Sequence, residues 1–172
     1  MNEKIKVQFG CGNRRFSGWN NFDYEIDINK PLPFNDNSID IIFTNHNLEH
    51  VNFTSAYKFL EECYRILKPK GILRIQVPSI EKIYSCEDQN YIVERGGSLK
   101  IAVRNVMLLF GHQSAYTSSL LNYMLKTSGF DSIECEPRKS TNTDIQDAII
   151  NNFNSSEIIY DVETIAFEGI KS

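Results

Sequence analysis

The stretch "VQFGCGNRRFSGWNNFD", Val7–Asp23, decides how this chain is read. It scans as a strand, a glycine turn and a second strand. About ten residues lie between Gly12 and Asp23, room for one or two helical turns before Gly18 breaks them. Upstream, Ile5, Val7 and Phe9 alternate in "KIKVQF" (Lys4–Phe9) and mark the first strand, which ends at Gly10. Glycine at a strand end lets backbone groups approach a ligand with no Cβ in the way. An ordinary tight turn shows the same G-x-G, so the argument has to come from what surrounds it.

Downstream the chain continues as an α/β pattern. "NNFDYEIDI" (Asn20–Ile28) is short and extended, and "PLPFNDNS" (Pro31–Ser38) is a turn-rich connector. "IDIIFTN" (Ile39–Asn45) is an almost unbroken apolar run, as expected of a strand covered on both faces. A helix over Thr54–Lys68 is predicted by Ala56, Phe59, Leu60, Cys63, Ile66 and Leu67, with Thr54 as its cap and Pro69 and Gly71 ending it. "ILRIQV" (Ile72–Val77) is a further strand. Leu99–Phe110 and Thr117–Phe130 carry helical spacing, with Gly129 as C-cap. Strands are expected at Ser132–Glu136 and within Asp161–Lys171. The polar stretch Arg138–Ser156 between them is expected to be mobile. Sheets of this grammar bind ligands at the carboxyl ends of their strands, where strand order reverses.

Composition narrows the partner. The 172 residues carry a net charge of −4 and no basic run, which argues against nucleic acid. "MNEKIKVQFG" has no apolar signal core, and no stretch approaches the ~20 apolar residues of a membrane span, so a cytoplasmic single domain is expected. The four cysteines form no CxxC pair, which argues for buried reduced thiols and against a zinc or disulfide framework; no metal is expected.

The acids behind the loop suggest the ligand. Asp23, at the end of the second strand, can accept hydrogen bonds from a ribose hydroxyl pair. Asp27 can reach an adenine amino group, or is a loop carboxylate with a local capping task. A dinucleotide loop wants a third glycine, where Arg15 stands, and a long helix facing the pyrophosphate. S-adenosylmethionine has no phosphate and suits acids and backbone groups better.

Four segments in order, "VQFGCGNRRFSGWNNFD", "PLPFNDNSIDIIFTNHNLEHV", "LEECYRILKPKGILRIQVPS" and "LLNYMLKTSGF", resemble the small class I S-adenosylmethionine-dependent methyltransferases, closest to a subgroup with a shortened first helix. The resemblance runs from about Lys4 to Phe130, with an echo in "TIAFEGIK". It implies an α/β, Rossmann-like, doubly wound and mostly parallel seven-stranded sheet, with one antiparallel strand near the C-terminus. It implies one domain over residues 1–172, with an acceptor lid within 79–116, and a methyl transfer to a small-molecule or glycan-type acceptor. Gly10, Cys11, Gly12 and Asn13 would cradle the methionine part of S-adenosyl-L-methionine, Asp23 the ribose, Asp27 and Ile28 the adenine, and Asn45 and His46 the sulfonium side. Glu49 and His50 would follow as the chain leaves that strand.

Three departures stand out: Gln8 where many relatives have an acid, Arg14 in place of a third loop glycine, and "KPKG" where "KPGG" is usual. They motivate an alternative reading as a non-catalytic cofactor-binding or scaffold member. A nicotinamide-dependent oxidoreductase, the third reading, is opposed by the missing glycine and helix. An oxygen or nitrogen acceptor can require a base. His46 is a base or a cofactor contact, and His50 a packing or capping residue. His112 is catalytic, acceptor-binding or structural; Tyr116 is an acceptor contact or a packed aromatic.

Overall fold

The computed structural model describes residues 3–153 and 158–172. The elements run β1 (Lys6–Phe9), β2 (Asn20–Phe22), β3 (Ile39–Asn45), α1 (Phe53–Ile66), β4 (Leu67–Pro78), α2 (Ile80–Tyr84), α3 (Gln89–Glu94), α4 (Leu99–Arg104), α5 (Ser118–Thr127), β5 (Phe130–Cys135), α6 (Thr143–Asn152), α7 (Ile158–Glu163) and β6 (Thr164–Lys171). The strands form one sheet in the order β2-β1-β3-β4-β6-β5. β1 to β4 are parallel, and β6 runs antiparallel to both β4 and β5. The mixed α/β sheet with its antiparallel C-terminal strand is therefore as expected. The chain leaves β1 towards β2 and returns to β3 on the opposite side, so the order reverses between β1 and β3.

Among the described residues the sheet has six strands, not seven. The connector between β2 and β3 makes its bonds elsewhere. Pro31 and Pro33 have no N–H to donate to a ladder. The Leu32 N–H goes to Glu62 at 2.7 Å. The Arg65 guanidinium takes the carbonyls of Leu32 and Phe34 at 3.0 and 2.9 Å. The connector is tied to α1, and β2 is left as the sheet edge.

Local boundaries shift for nameable reasons. Asn52, not Thr54, caps α1, its side chain accepting from the Ser55 N–H at 3.0 Å. The helix stops at Ile66 and β4 starts at Leu67 rather than Ile72. Lys68 thus sits on the strand and pairs with Asp40 at 2.6 Å. Lys70 adopts φ +66°, a left-handed conformation for which glycine at that position would be the easier residue. The helix expected over Leu99–Phe110 ends at Arg104 and continues as a π turn through Leu109.

The helices α1 and α5 lie on one face of the sheet. Phe59, Leu60, Cys63, Leu121 and Leu125 pack there against Val7, Phe9, Ile42 and Leu73. The shortened connection after β1 leaves the opposite face without a helix of its own. That face is covered by α6, in the segment expected to be mobile. Ile145, Ala148 and Ile149 are buried against Phe16, Ile41 and Phe43. Asn142 caps α6 through the Ile145 N–H at 3.2 Å, and Lys4 and Lys6 hold Asp144 at 2.7 and 3.0 Å. These contacts set the direction of α6. Its start lies by the beginning of β1, and its end lies by the glycine turn.

Residues 79–116 fold as a small body over the carboxyl end of β4. Ile83, Tyr91, Ala102 and Val106 form its own core. Tyr91 donates to the buried Glu163 at 2.7 Å, and Arg95 reaches the same carboxylate at 2.6 Å. No helix among the described residues is long and apolar enough to cross a membrane.

Candidate active site

The glycine turn opens onto a cleft of about 570 Å³ at the reversal point, floored by Gln8, Gly10, Cys11 and Gly12 and faced by Asn45 across the gap. Gly10 has φ +64°, and a Cβ on it would lie 2.5 Å from Asn47 Cγ. Both the backbone conformation and the crowding demand glycine there. Gly12, at φ +48°, faces open space. The Cys11 N–H donates to the Phe22 carbonyl at 3.1 Å, which locks the turn to the end of β2. Cys11 is buried, and burial raises its thiol above the usual range. Gln8 accepts the Phe16 N–H through its side-chain oxygen at 3.4 Å, so the place of the expected acid is filled by an internal contact.

The far wall comes from α6. Asn151, Asn152 and Phe153 line the cleft beside the loop. Phe153 stacks under the Arg14 guanidinium at 4.3 Å and packs against Phe16 and Phe43. A helix after β1 would turn its N-terminus to the cleft. α6 turns its carboxyl end there instead, which carries the negative end of the helix dipole and favours a positive group.

Next to the loop, Gly12, Asn13, Arg15, Asp23, Tyr24 and Glu25 border a second, more open hollow. Asp23 follows β2 directly, and no hydrogen bond occupies its carboxylate among the described residues. Glu25, which sequence reasoning passed over, accepts the Asp23 N–H at 2.7 Å and pairs with Arg15 at 3.1 Å. The Asp23 N–H bond is the first of the contacts holding the Glu25 carboxyl down to about 2. The structure does not bring Asp27 or Ile28 to either hollow. The Asp27 carboxylate accepts from the backbone and side chain of Asn29, both at 3.0 Å, and pairs with Lys30. Ile28 is in the main core.

At the end of β3, Asn45 stands between the main cleft and a smaller cavity of about 190 Å³. His46, Gln76, Arg138 and Thr164 help to line that cavity. His46 has φ +48°, a strained left-handed backbone for a non-glycine residue. Its Nε2 lies 2.8 Å from Thr164 Oγ1 and its Nδ1 3.4 Å from Glu49.

Glu49 is where the histidines meet. It sits on a 3-10 turn, Leu48–His50, with the carboxylate 1% exposed. His112 Nε2 lies 4.0 Å from it, and the His50 and His112 rings are 4.9 Å apart. All three histidines of the chain thus surround one buried acid. Burial pushes the Glu49 carboxyl up to about 8 and pulls His46 down to about 3 and His112 down to about 4.

His46 and His112, candidates separated by 66 positions in sequence, are therefore joined through Glu49, a residue for which sequence reasoning had no role. Of the two readings of Tyr116, the structure has the packed aromatic. It is fully buried in the main core, packs on Phe53, and donates its hydroxyl to the Leu48 carbonyl at 3.4 Å. It holds the 3-10 turn in place. Glu25 lies two residues beyond Asp23 and was within reach of the same reasoning. Phe153 carries no motif, and only the fold brings it to the cleft.

Residues 15–75 match the family described as a methyltransferase domain. No curated protein matches the chain. Solved structures share the fold. One is a SAM-dependent methyltransferase from Archaeoglobus fulgidus, 15% identical, with a TM-score of 0.58 over 98% of this chain and 86% of that one. Another is an S-adenosylmethionine-dependent methyltransferase from Mesorhizobium loti, 12% identical, with a TM-score of 0.56 over 97% of this chain and 90% of that one. A third is a phosphoethanolamine N-methyltransferase from Haemonchus contortus in complex with phosphomonomethylethanolamine and S-adenosylhomocysteine. It is 14% identical, with a TM-score of 0.53 over 99% of this chain, which spans about half (49%) of that protein. At these identities the likeness is one of fold. The fold is that of S-adenosylmethionine-dependent methyltransferases, as the resemblance in the sequence implies.

Proposed function

We propose that this protein is an S-adenosyl-L-methionine-dependent methyltransferase that acts on a small-molecule or glycan-type acceptor. One observation carries the reading. A cleft lies at the sheet's reversal point, between the Gly10–Gly12 turn and Asn45, with a carboxylate of suitable position, Asp23, just beyond β2. Gly10, Cys11, Gly12 and Asn13 would hold the methionine part, and Asp23, supported by Glu25, the ribose hydroxyls. The carboxyl end of α6 would lie near the positive sulfonium. Neither hollow supports a role for Asp27 or Ile28 at the adenine.

The acceptor is assigned to the adjoining cavity behind Asn45. Its walls mix His46, Gln76, Arg138, Asp161 and Thr164 with Pro137 and Phe153. Methyl transfer is an in-line displacement at a carbon already activated by the sulfonium. The protein's task is to align the acceptor and exclude water. His46 is the base candidate by position, but its two ring nitrogens face Thr164 and Glu49. His112 would act only through Glu49. Residues 79–116 would form the lid, and the expected compartment is the cytoplasm.

Titration calorimetry with S-adenosylmethionine and S-adenosylhomocysteine tests the reading. Both are expected to bind, and Asp23→Ala is expected to weaken binding by more than about tenfold while the protein stays folded. Absence of binding by either would refute it. The Phe16 contact of Gln8 favours a second reading, a cofactor-binding member without activity. Cofactor binding with no methyl transfer to any of a broad panel of acceptors would support that reading.

A further inference from the structure

We propose that Glu49, His50 and His112 form a binding site for a divalent transition-metal ion, next to the acceptor cavity. One ligand atom from each of the three lies within 4.8 Å of the other two. The set combines one carboxylate with two imidazoles, donors that suit Mn²⁺ through Zn²⁺. The sequence reading looked for metal in the cysteines and found no ligand spacing there. None of the four cysteines belongs to this cluster.

A second observation is independent of the spacing. Among the described residues both Glu49 carboxylate oxygens and His112 Nδ1 are buried and make no hydrogen bond, with His46 Nδ1 3.4 Å from one of those oxygens. A buried acid with two orphaned oxygens is costly, and native structures rarely leave one without a purpose. The surroundings are built to hold these groups still. Gln113 and Ser114 donate their N–H groups to the Glu49 carbonyl at 2.7 and 3.2 Å. Gln113 Nε2 donates to the His50 carbonyl at 2.7 Å, and Ser114 Oγ to the Val51 carbonyl at 3.0 Å. The 3-10 turn and the 111–116 loop are thereby laced into one unit. The site also has an opening: Glu49 is buried, but His50 is exposed. Three protein ligands with one open side match an ion that keeps exchangeable positions.

His46 links this cluster to the proposed reaction. It lines the acceptor cavity and points Nδ1 at Glu49 from 3.4 Å. If the methyltransferase reading holds, an ion at Glu49 can act as a Lewis acid on an oxygen acceptor. Metal binding itself does not depend on that reading.

The test uses the full chain, stripped of metal by chelator and titrated with Co²⁺ and Zn²⁺. One equivalent of Co²⁺ should bind and give visible absorption without a thiolate charge-transfer band. Zn²⁺ should compete for the site and raise the melting temperature. Glu49→Gln, which keeps the side-chain volume, and His112→Gln should each weaken binding by at least about tenfold. Circular dichroism checks that both variants fold. The proposal is overturned if no stoichiometric binding occurs, if both variants bind like the parent, or if a thiolate band shows cysteine ligation. S-adenosylhomocysteine binding, measured separately, distinguishes the two claims. Cofactor binding without metal sinks only the metal site, and metal binding without cofactor sinks only the methyltransferase reading.

Discussion

Ile145→Ala tests whether α6 is a separately docked wall of the cleft beside the glycine turn. Ile145 is fully buried between α6 and the sheet face that holds Phe16, Ile41 and Phe43. Truncating a buried isoleucine to alanine costs about 2–5 kcal/mol. A ten-residue helix has little stability of its own, so the loss should fall on docking. At about 1.4 kcal/mol per factor of ten, the opening equilibrium of α6 should rise by at least about 30-fold. Amide hydrogen exchange read by mass spectrometry measures this directly. Peptides covering 143–152 should exchange at least about 30-fold faster, while those covering α1 should keep their protection. S-adenosylhomocysteine affinity should fall by the factor by which the docked population falls, because Asn151, Asn152 and Phe153 leave the cleft. If α6 and α1 lose protection together, or α6 protection is unchanged, α6 is not an independently docked wall and the reasoning fails.

Four further outcomes are expected. Gly10→Ala should abolish S-adenosylhomocysteine binding, and removing the facing side chain in Gly10→Ala/Asn47→Ala should restore it only in part, because the positive φ strain remains. Asp23→Ala should weaken cofactor binding by more than about tenfold, the loss expected of a hydrogen-bonded carboxylate, with little change in melting temperature. Tyr116→Phe should cost about 1 kcal/mol in urea unfolding, the worth of one buried hydroxyl bond, and should leave cofactor binding unchanged. Hydrogen bonding from Lys4, then Lys6, holds the Asp144 carboxyl below its ordinary value, so its contribution to docking is complete above the unfolded pKa and is lost as pH falls through the lower folded one. Exchange in α6 should therefore accelerate selectively in acid, and Asp144→Asn should remove that pH dependence.

The readings that held were local ones. The glycine turn, Asp23 and the apolar run Ile39–Asn45 are each set by neighbours in sequence, and each is where its pattern puts it. The residues themselves pointed to six strands, and the seventh came only from the resemblance. The bonds that tie the β2–β3 connector to α1, Arg65 to Leu32 and Phe34, join positions about thirty apart and leave no periodic trace. The Glu49 cluster was hidden for the same reason. His112 reaches Glu49 only because Gln113 and Ser114 lace their loop to the 3-10 turn, across more than 60 positions.

The helix α6 was missed although its signal was present. Ile145, Ala148 and Ile149 lie at i, i+3 and i+4 behind Asn142, a good cap. The stripe is narrow, and a narrow stripe in a polar stretch reads as a loop unless a bare apolar surface is known to await it. That surface was implied by the opening stretch itself. Ile41 and Phe43 on β3 need cover on a face from which the shortened first connection withholds a helix. The covering helix had to come from elsewhere in the chain, and it comes from beyond β5 with its direction reversed. The reversal changes the electrostatics of the cleft. A helix following β1 would offer positive N–H groups to the ligand, which is what a diphosphate requires. The carboxyl end of α6 offers the opposite sign, which suits a positive group such as a sulfonium, while Arg14 and Arg15 line the same cleft. The missing helix and its replacement are thus two consequences of the same shortened connection, and both bear on the sign of the charge the cleft meets.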